Sequence, residues 1–304
     1  MTSVPDPEAA VPPALRDAIL AWYAATGREL AFRATADPYA VLVSELMAQQ
    51  TQAARAAEAW TAWMARFPTV RMLAEAPVAD VLRAWAGLGY NRRALALHRA
   101  ARAIVDGHGG AVPASPEALE TLPGVGPYTA RAVAAIAYGL PVGAVDTNVR
   151  RVLGRVTAGG AEAFSSAAMQ ALADAVVPAG HAGPWTHALM DIGARVCRPA
   201  KPLCPDCPAM AWCRYAAGER PAAVSAGRPR ARRQEARFDT TNRWLRGRIL
   251  ARARAASDGA WVAYAEPMGS HGHAAVREAL AAMASEGLLE ARESADGPEA
   301  RLPR

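Results

Sequence analysis

Apolar side chains recur along most of the chain at the three- and four-residue spacing of amphipathic helices, with little of the alternation typical of strands. Proline stands at the predicted start of two helices, where its fixed φ and missing N–H cost nothing. The fold class predicted for this region is all-α. The spacing predicts helices over 13–25, 38–49, 54–66, 78–86, 92–106, 128–139, 147–156, 164–177 and 184–193.

The helical spacing is lost after about residue 213, and the chain then becomes rich in Ala, Gly, Pro, Ser and Arg. This composition predicts a basic linker over 217–237. A helix follows at about 241–256, then a short apolar segment, a second helix at 273–285 and a strand after Leu289. That order predicts a small winged-helix-like module over 238–304.

Composition narrows the class of protein. The chain has 304 residues, of which 52% are hydrophobic and 20% charged, so it has enough apolar side chains for two domains. These values exclude a disordered chain and a small disulfide scaffold. No apolar run has the length of a membrane span, and the N-terminus has acids and prolines where a signal peptide has a basic start. We therefore expect a cytoplasmic protein without membrane contact.

Positive charge is concentrated near the C-terminus. The net charge is +6, and residues 228–254 contain ten arginines against Glu235 and Asp239. Such a run suits contacts with phosphates, whose neutralisation releases counterions. A solvated linker explains the same run equally well.

Four cysteines lie within seventeen residues, at Cys197, Cys204, Cys207 and Cys213. In a chain that we expect to be cytoplasmic, this density indicates metal ligands rather than disulfides. Structural zinc usually takes its cysteines as two close pairs separated by a longer loop. One compact loop favours a [4Fe–4S] cluster, and zinc remains the alternative.

The segment Leu122–Ala130 has the sequence LPGVGPYTA and leads into a predicted helix. Gly124, Val125 and Gly126 form a hairpin whose backbone N–H groups, together with the helix start, suit a phosphate. This pattern indicates a helix-hairpin-helix that binds DNA; the alternative is an ordinary turn between helices.

Asp146 stands directly before the helix predicted at 147–156. Aspartate often caps a helix at this position, and the cap bonds keep the carboxylate ionised. Capping and catalysis are compatible, because a fixed carboxylate can stabilise positive charge on a sugar whose base departs.

In this order and spacing, the hairpin, Asp146 and the cysteine loop resemble the helix-hairpin-helix DNA glycosylases with an iron–sulfur cluster. Within them, Ser44–Gln52, Gly87–Tyr90 and Arg33 resemble the A/G-specific adenine DNA glycosylase (MutY) family. The resemblance covers about residues 15–220. It implies two helical lobes, a [4Fe–4S] cluster held by the four cysteines, and double-stranded DNA as partner of a monomer associated with the nucleoid. The implied domains are 30–140 with the hairpin, 1–29 with 141–216 around the cluster, the linker 217–237 and the module 238–304.

The resemblance also implies roles in removing adenine from A:8-oxoguanine or A:G mispairs. The nucleotide is flipped out of the duplex, and Glu45 is the general acid that protonates N7. Asp146 stabilises or attacks the oxocarbenium ion, and Asn148 bonds to Asp146 or to the attacking water. Gln50 and Tyr90 enter the duplex, while Arg33 and the hairpin contact DNA.

Tyr128 occupies the position at which bifunctional members such as endonuclease III have their Schiff-base lysine. The one lysine in the chain is Lys201, inside the cysteine loop, so the resemblance implies a glycosylase without lysine-dependent strand cleavage. Two other functions remain open: a thymine/uracil mismatch glycosylase, and a DNA-binding relative without catalysis. Longer members recognise 8-oxoguanine with a β-rich domain, for which 238–293 is too short; Ser270 and His271 are a candidate lesion contact.

Overall fold

The protein is mostly helical, as its hydrophobic pattern predicts. The computed structural model describes residues 6–219 and 237–304, so most of the predicted linker lies outside the described residues. Within the described residues, no helix is long and apolar enough to cross a membrane. The helices are α1 (Pro7–Ala10), α2 (Pro13–Thr26), α3 (Pro38–Ala48), α4 (Ala53–Arg66), α5 (Val70–Glu75), α6 (Val78–Ala84), α7 (Arg92–His108), α8 (Pro116–Glu120), α9 (Pro127–Tyr138), α10 (Thr147–Ala158), α11 (Ser166–Ala175), α12 (Ala182–Asp191), α13 (Asn242–Ala255) and α14 (His273–Ser285).

Side-chain caps decide where several helices begin. Ser165 accepts a hydrogen bond from the N–H of Ala168, so α11 begins two residues later than its apolar pattern suggests. Thr69 caps α5 in the same way, and this short helix is absent from the sequence-based prediction. After α12 the chain makes a π-helical turn over Ile192–Val196, which leads directly to the first cysteine.

The residues group by contact into two compact units. The first comprises Met1–Glu45, Pro113–Thr121 and Val125–Gly227; the second comprises Leu46–Val112, Leu122–Gly124 and Arg228–Arg304. This grouping differs from the predicted domain ranges, because residues 30–45, 113–121 and 125–140 join the cysteine-containing unit, and the C-terminal module joins the other. The predicted ranges stay a prediction.

The first unit is built around helices α2 and α9–α12. Its core contains the fully buried side chains of Leu15, Ile19 and Trp185, and Cys197, Cys207 and Cys213 pack against this core. A buried leucine or isoleucine stabilises the fold by about 2 kcal/mol relative to an exposed one. The cysteine loop therefore rests on a rigid base.

The second unit combines α4–α7 with the C-terminal module. Trp63 packs edge-on against Trp85, with ring centroids 5.6 Å apart, and both are buried. In the module, α13 and α14 pack beside a small antiparallel sheet of β1 (Val262–Ala263), β2 (Glu290–Ser294) and β3 (Gly297–Arg301). The strand order is β1-β3-β2, and Ala300 pairs with Val262 on one side and Ala291 on the other. The predicted order of helix, short strand, helix and strand is observed, with one additional strand, and the winged-helix-like interpretation stays a prediction.

Candidate active site

Glu45 lies on α3, which begins with the side chain of Asp37 accepting a hydrogen bond from the N–H of Ala40 at 2.7 Å. The Glu45 residue is only 7% exposed. Burial raises the pKa of Glu45 to about 7, although the hydrogen bond from Tyr128 and the charge of Arg33 act in the opposite direction. A carboxyl with this pKa holds a proton near neutral pH and can deliver it.

Tyr128 is the second residue of α9 and its hydroxyl donates to Oε2 of Glu45 at 2.9 Å. Burial, followed by the charges of Glu45 and Asp146, raises the pKa of Tyr128 well above its usual value. The phenol therefore remains a hydrogen-bond donor and does not ionise. Beyond it lies the thioether of Met190, 3.9 Å from the hydroxyl.

Asp146 is the N-cap of α10. Its Oδ1 accepts from the N–H of Val149 at 2.7 Å, and its Oδ2 accepts from the side-chain amide of Asn148 at 2.9 Å. The bond from Val149 is the cap that the sequence predicts, and the Asn148 amide fixes the second carboxylate oxygen. The charge of Asp146 is close enough to raise the pKa of Glu45, so the two carboxyl groups belong to one site.

Arg151 orients Asn148 and links it to the cysteine loop. Its Nη2 donates to Oδ1 of Asn148 and to the carbonyl of Gly193, each at 2.7 Å, and its Nε donates to the carbonyl of Cys197 at 2.7 Å. The amide oxygen of Asn148 is thereby occupied, which leaves its NH₂ to face Asp146. A Cβ on Gly193 would lie 2.4 Å from the Cβ of Asn148, so only glycine permits this approach.

A buried cluster of charged side chains surrounds Asp191, and the sequence did not predict it. The Asp191 side chain is fully buried and accepts two bonds from the Arg33 guanidinium, at 2.9 and 3.0 Å. Arg28 adds its backbone N–H at 2.9 Å and its Nε at 2.8 Å. Burial alone raises the pKa of Asp191, but the hydrogen bonds from Arg33 and Arg28 outweigh it and lower the pKa to about 2. The carboxylate is therefore ionised at every physiological pH.

Arg33 lies inside this cluster rather than at the surface, with a side chain only 7% exposed. Its charge lowers the pKa of Glu45, and after burial it is the next cause that lowers the pKa of His187 to about 3. Its Nε is buried without a hydrogen-bond partner among the described residues. The DNA contact of Arg33 remains a prediction. Its buried position favours contact with a DNA group that enters the site over contact with DNA at the surface.

The four cysteines line one cavity together with hydrophobic residues of α10 and the π-helical turn. None forms a disulfide. Burial raises the pKa of Cys207 to about 11, and Nη1 of Arg155 donates to Sγ of Cys197 at 3.4 Å. In the part of the chain that the structure describes, no group of three or more His, Cys, Asp or Glu residues has the arrangement of a metal site. Lys201, within the same loop, is exposed.

The hairpin before α9 depends on glycine. Gly124 has φ +81°, and a Cβ there would lie 2.6 Å from the Cβ of Ala96. Val125 is 6% exposed and so is buried rather than presented as a side-chain contact. Gly126 is the N-cap of α9, with no side-chain hydrogen bond and open space where a Cβ would be. The backbone N–H groups at this helix start face no side-chain acceptor from the cap, which suits an external anion.

Gln50 and Tyr90 lie in the second unit, and both have a backbone conformation with positive φ. Their φ angles are +53° and +44°, and in the described part of the chain they are the only non-glycine residues with positive φ. Arg93 supports both turns, since it donates to the carbonyl of Gln49 and, at 3.2 Å, to that of Gly89. Tyr90 is 46% exposed. Backbone strain of this kind costs about 1–3 kcal/mol per residue and is concentrated at functional sites.

The chain is similar to known base excision DNA repair proteins. Residues 43–178 match the family described as HhH-GPD superfamily base excision DNA repair protein. The adenine DNA glycosylase of Mycobacterium tuberculosis is 45% identical over 259 residues, which are 83% of each chain. The human adenine DNA glycosylase is 43% identical over 213 residues, 66% of this chain and 39% of the human one.

A solved structure, that of a thermostable thymine-DNA glycosylase, matches with a TM-score of 0.63 and 30% identity, over 67% of this chain and 95% of the other. The match supports the helical fold described above. The chain belongs to the adenine DNA glycosylase family, within the HhH-GPD superfamily of base excision DNA repair proteins.

Proposed function

We propose that this protein is a monofunctional DNA glycosylase that releases adenine mispaired with 8-oxoguanine or guanine in double-stranded DNA. The observation that carries the proposal is the pair of unlike carboxyl groups, Glu45 with a pKa of about 7 and Asp146 held by two donors. Adenine leaves readily only when a ring nitrogen is protonated, and the sugar then carries positive charge. One carboxylic acid and one carboxylate meet these two needs.

In the proposed reaction, the adenine nucleotide is extruded from the duplex into the site. Glu45 donates its proton to N7 as the glycosidic bond breaks, and Tyr128 holds the carboxylate that results. Asp146 stabilises the oxocarbenium ion or adds to it, and water completes the hydrolysis. Asn148, held by Arg151, keeps Asp146 oriented.

We infer that Gln50, Tyr90 and the hairpin Gly124–Gly126 contact the DNA. The hairpin offers N–H groups to a phosphate, and the exposed phenol ring of Tyr90 is suited to wedge into the base stack. Neither role involves bond breaking. Variants at these positions are therefore expected to lose binding before they lose the chemical step.

We further infer that Cys197, Cys204, Cys207 and Cys213 hold a [4Fe–4S] cluster. Four thiols that line one cavity and form no disulfide match the donor set of such a cluster. When bound, the cluster supplies bonds that fix the loop, and no step of base release passes through it. Arg151 donates both to the Cys197 carbonyl and to Asn148, so the conformation of the cysteine loop influences the orientation of Asn148.

The test is single-turnover base release from a panel of duplexes containing A:8-oxoguanine, A:G, T:G, U:G and A:T. Glu45→Gln and Asp146→Asn should each release adenine at least about 10²-fold more slowly while still binding. The exposed residues Glu58 and Asp17 provide matched controls, as Glu58→Gln and Asp17→Asn. Release of thymine or uracil instead of adenine would indicate a mismatch glycosylase, and binding without release would indicate a non-catalytic relative.

The absence of lysine-dependent cleavage has its own readout. The product should be an abasic site in an intact strand until alkali or heat is applied. Borohydride should trap no protein–DNA adduct, because the lone Lys201 is in the cysteine loop and Tyr128 occupies the site. An adduct that forms with the wild-type protein and disappears with Lys201→Ala would refute this part of the proposal.

A further inference from the structure

The C-terminal module distributes its charges unevenly. Helix α13 contains five arginines and no acidic residue, whereas residues 256–304 contain four arginines and eight acidic residues. The module is therefore basic on one helix and acidic elsewhere. This polarity indicates which of its faces can meet a polyanion.

Helix α14 and the β2–β3 hairpin follow one another in the order of a recognition helix and wing, yet the arginines of this face are paired internally. Arg277 pairs with Glu293, Arg292 with Glu299 at 2.7 Å, and Arg301 with Glu290 at 2.6 Å. Each of these pairs would have to open before the arginine met a phosphate. Because surface pairs of this kind are weak, the lack of net positive charge, rather than the pairs themselves, argues against this face as the DNA contact.

The exposed arginines of α13 are in a different state. Arg243, Arg248 and Arg252 form no ion pair with any residue that the structure describes. Each guanidinium lies over an aromatic ring, as those of Arg292 and Arg301 also do over Trp261, so the missing ion pairs are what distinguishes the α13 arginines. An aromatic ring restrains the guanidinium and leaves its N–H groups available to an acceptor. Arg248 and Arg252 are four residues apart and so share one side of the helix, about 6 Å apart along its axis, whereas Arg243 lies on the opposite side, over Tyr90.

Arg243 connects this helix to the turn that carries Tyr90. Its guanidinium lies 5.0 Å from the centre of the Tyr90 ring. Both residues, with Gln50 and Asn242, line one cavity of about 790 Å³ that opens to solvent. Helix α13 thus begins beside the side chains that are proposed to enter the duplex.

The module is fixed to the helices that carry this turn, so α13 keeps its position beside Tyr90. Glu286 accepts from Arg92 at 2.7 Å and from Arg246 at 2.5 Å. Arg254 donates to Oδ1 of Asn91 at 2.8 Å. Further contacts join the far end of the module to the same helices: Arg83 pairs with Asp258, and the N–H of Ala79 donates to the carbonyl of Pro303 at 3.1 Å.

We propose that α13 is a contact surface for the DNA backbone, formed by Arg248 and Arg252, and that the face of α14 and the β2–β3 hairpin does not bind DNA. The ligand is a row of phosphodiester groups next to the mispair. The choice of duplex DNA rests on the proposed function, but the surface requires no base release. Its contacts are ionic, so they contribute affinity without sequence preference.

The test compares two charge-matched variants of the full-length protein. Arg248→Gln with Arg252→Gln removes two charges from α13, and Arg277→Gln with Arg292→Gln removes two from the other face. Binding to a fully paired, labelled duplex is measured by fluorescence anisotropy over a salt series. Because this duplex is not a substrate, the result does not depend on adenine glycosylase activity.

The α13 variant should bind more weakly, and its slope of log affinity against log salt should be shallower by up to about 1.8, or about 0.9 for each phosphate that the variant no longer neutralises. The other variant should keep the wild-type slope. An unchanged α13 variant, or an equal loss of affinity in both, would overturn the proposal. If thermal unfolding shows that one double variant is destabilised, the single variants Arg248→Gln and Arg277→Gln repeat the comparison, with the same two outcomes.

Discussion

The pH dependence of adenine release gives the sharpest test of the proposed acid. Glu45 must be protonated to act, so the rate should fall about tenfold per pH unit above its pKa of about 7. With the ordinary glutamate value of 4.5, the acid form at neutral pH would be about 150-fold rarer. Burial of Glu45 therefore accounts for about two orders of magnitude in the population of its acid form at that pH.

Tyr128→Phe should move this alkaline limit upward. The substitution removes the hydroxyl that donates to Oε2 at 2.9 Å and that lowers the pKa of Glu45. A hydrogen bond to a charged group contributes about 1.5–3 kcal/mol, which corresponds to about 1–2 pKa units. The midpoint should therefore rise from about pH 7 to about pH 8–9.

The assay is single-turnover release from an A:8-oxoguanine duplex with protein in excess, followed across neutral and alkaline pH in half-unit steps. Tyr138→Phe, on the same helix, is the control and should leave the midpoint unchanged. Glu45→Gln should remove the alkaline limb altogether. A midpoint that stays in place or falls in Tyr128→Phe would show that the titrating group is not Glu45.

Three further outcomes follow from the site. The purified protein should be brown, absorb near ~400 nm and contain about four irons per chain, whereas one zinc without iron after anaerobic preparation would contradict the cluster. Arg151→Gln should slow base release by about tenfold or more with little change in duplex binding, since Asn148 loses the bond that orients it; unchanged release would contradict that role. Glu45→Gln should stabilise the protein on the alkaline side only. The folded pKa of about 7 exceeds the ordinary 4.5, so the wild type loses up to about 3 kcal/mol as pH rises between these values. Equal unfolding midpoints of the two proteins in denaturant at about pH 8 would exclude the raised pKa.

Local signals in the sequence account for most of the helices. A stripe of apolar residues over four turns predicts α7 within two residues of its observed end, because the stripe and the helix share one period. Helix α5 has only six residues, too few for a period to emerge. Strand β3 contains glycine, proline and alanine, and its pairing with two neighbours rather than its own preference makes it a strand.

The residues of the candidate site also differ in whether the local sequence identifies them. Asp146 could be identified because a cap acts on the next three residues, and the hydrogen bond to Val149 has that separation. Asp191 could not, because its partners Arg28 and Arg33 are 163 and 158 residues away. The available signal was an aspartate within an apolar helix, which requires buried counterions but does not name them.

The left-handed backbone at Gln50 and Tyr90 has a consequence for attempts to make this enzyme more heat-resistant. At both positions asparagine or glycine adopts the observed φ at lower cost, so a selection on folding alone favours replacing them. The variants it recovers would unfold at higher temperature and would lack the side chains proposed to enter DNA. At these two residues, substitutions that raise thermal stability would lower DNA repair. A screen for heat-resistant variants of this chain therefore needs a DNA-binding step to retain Gln50 and Tyr90.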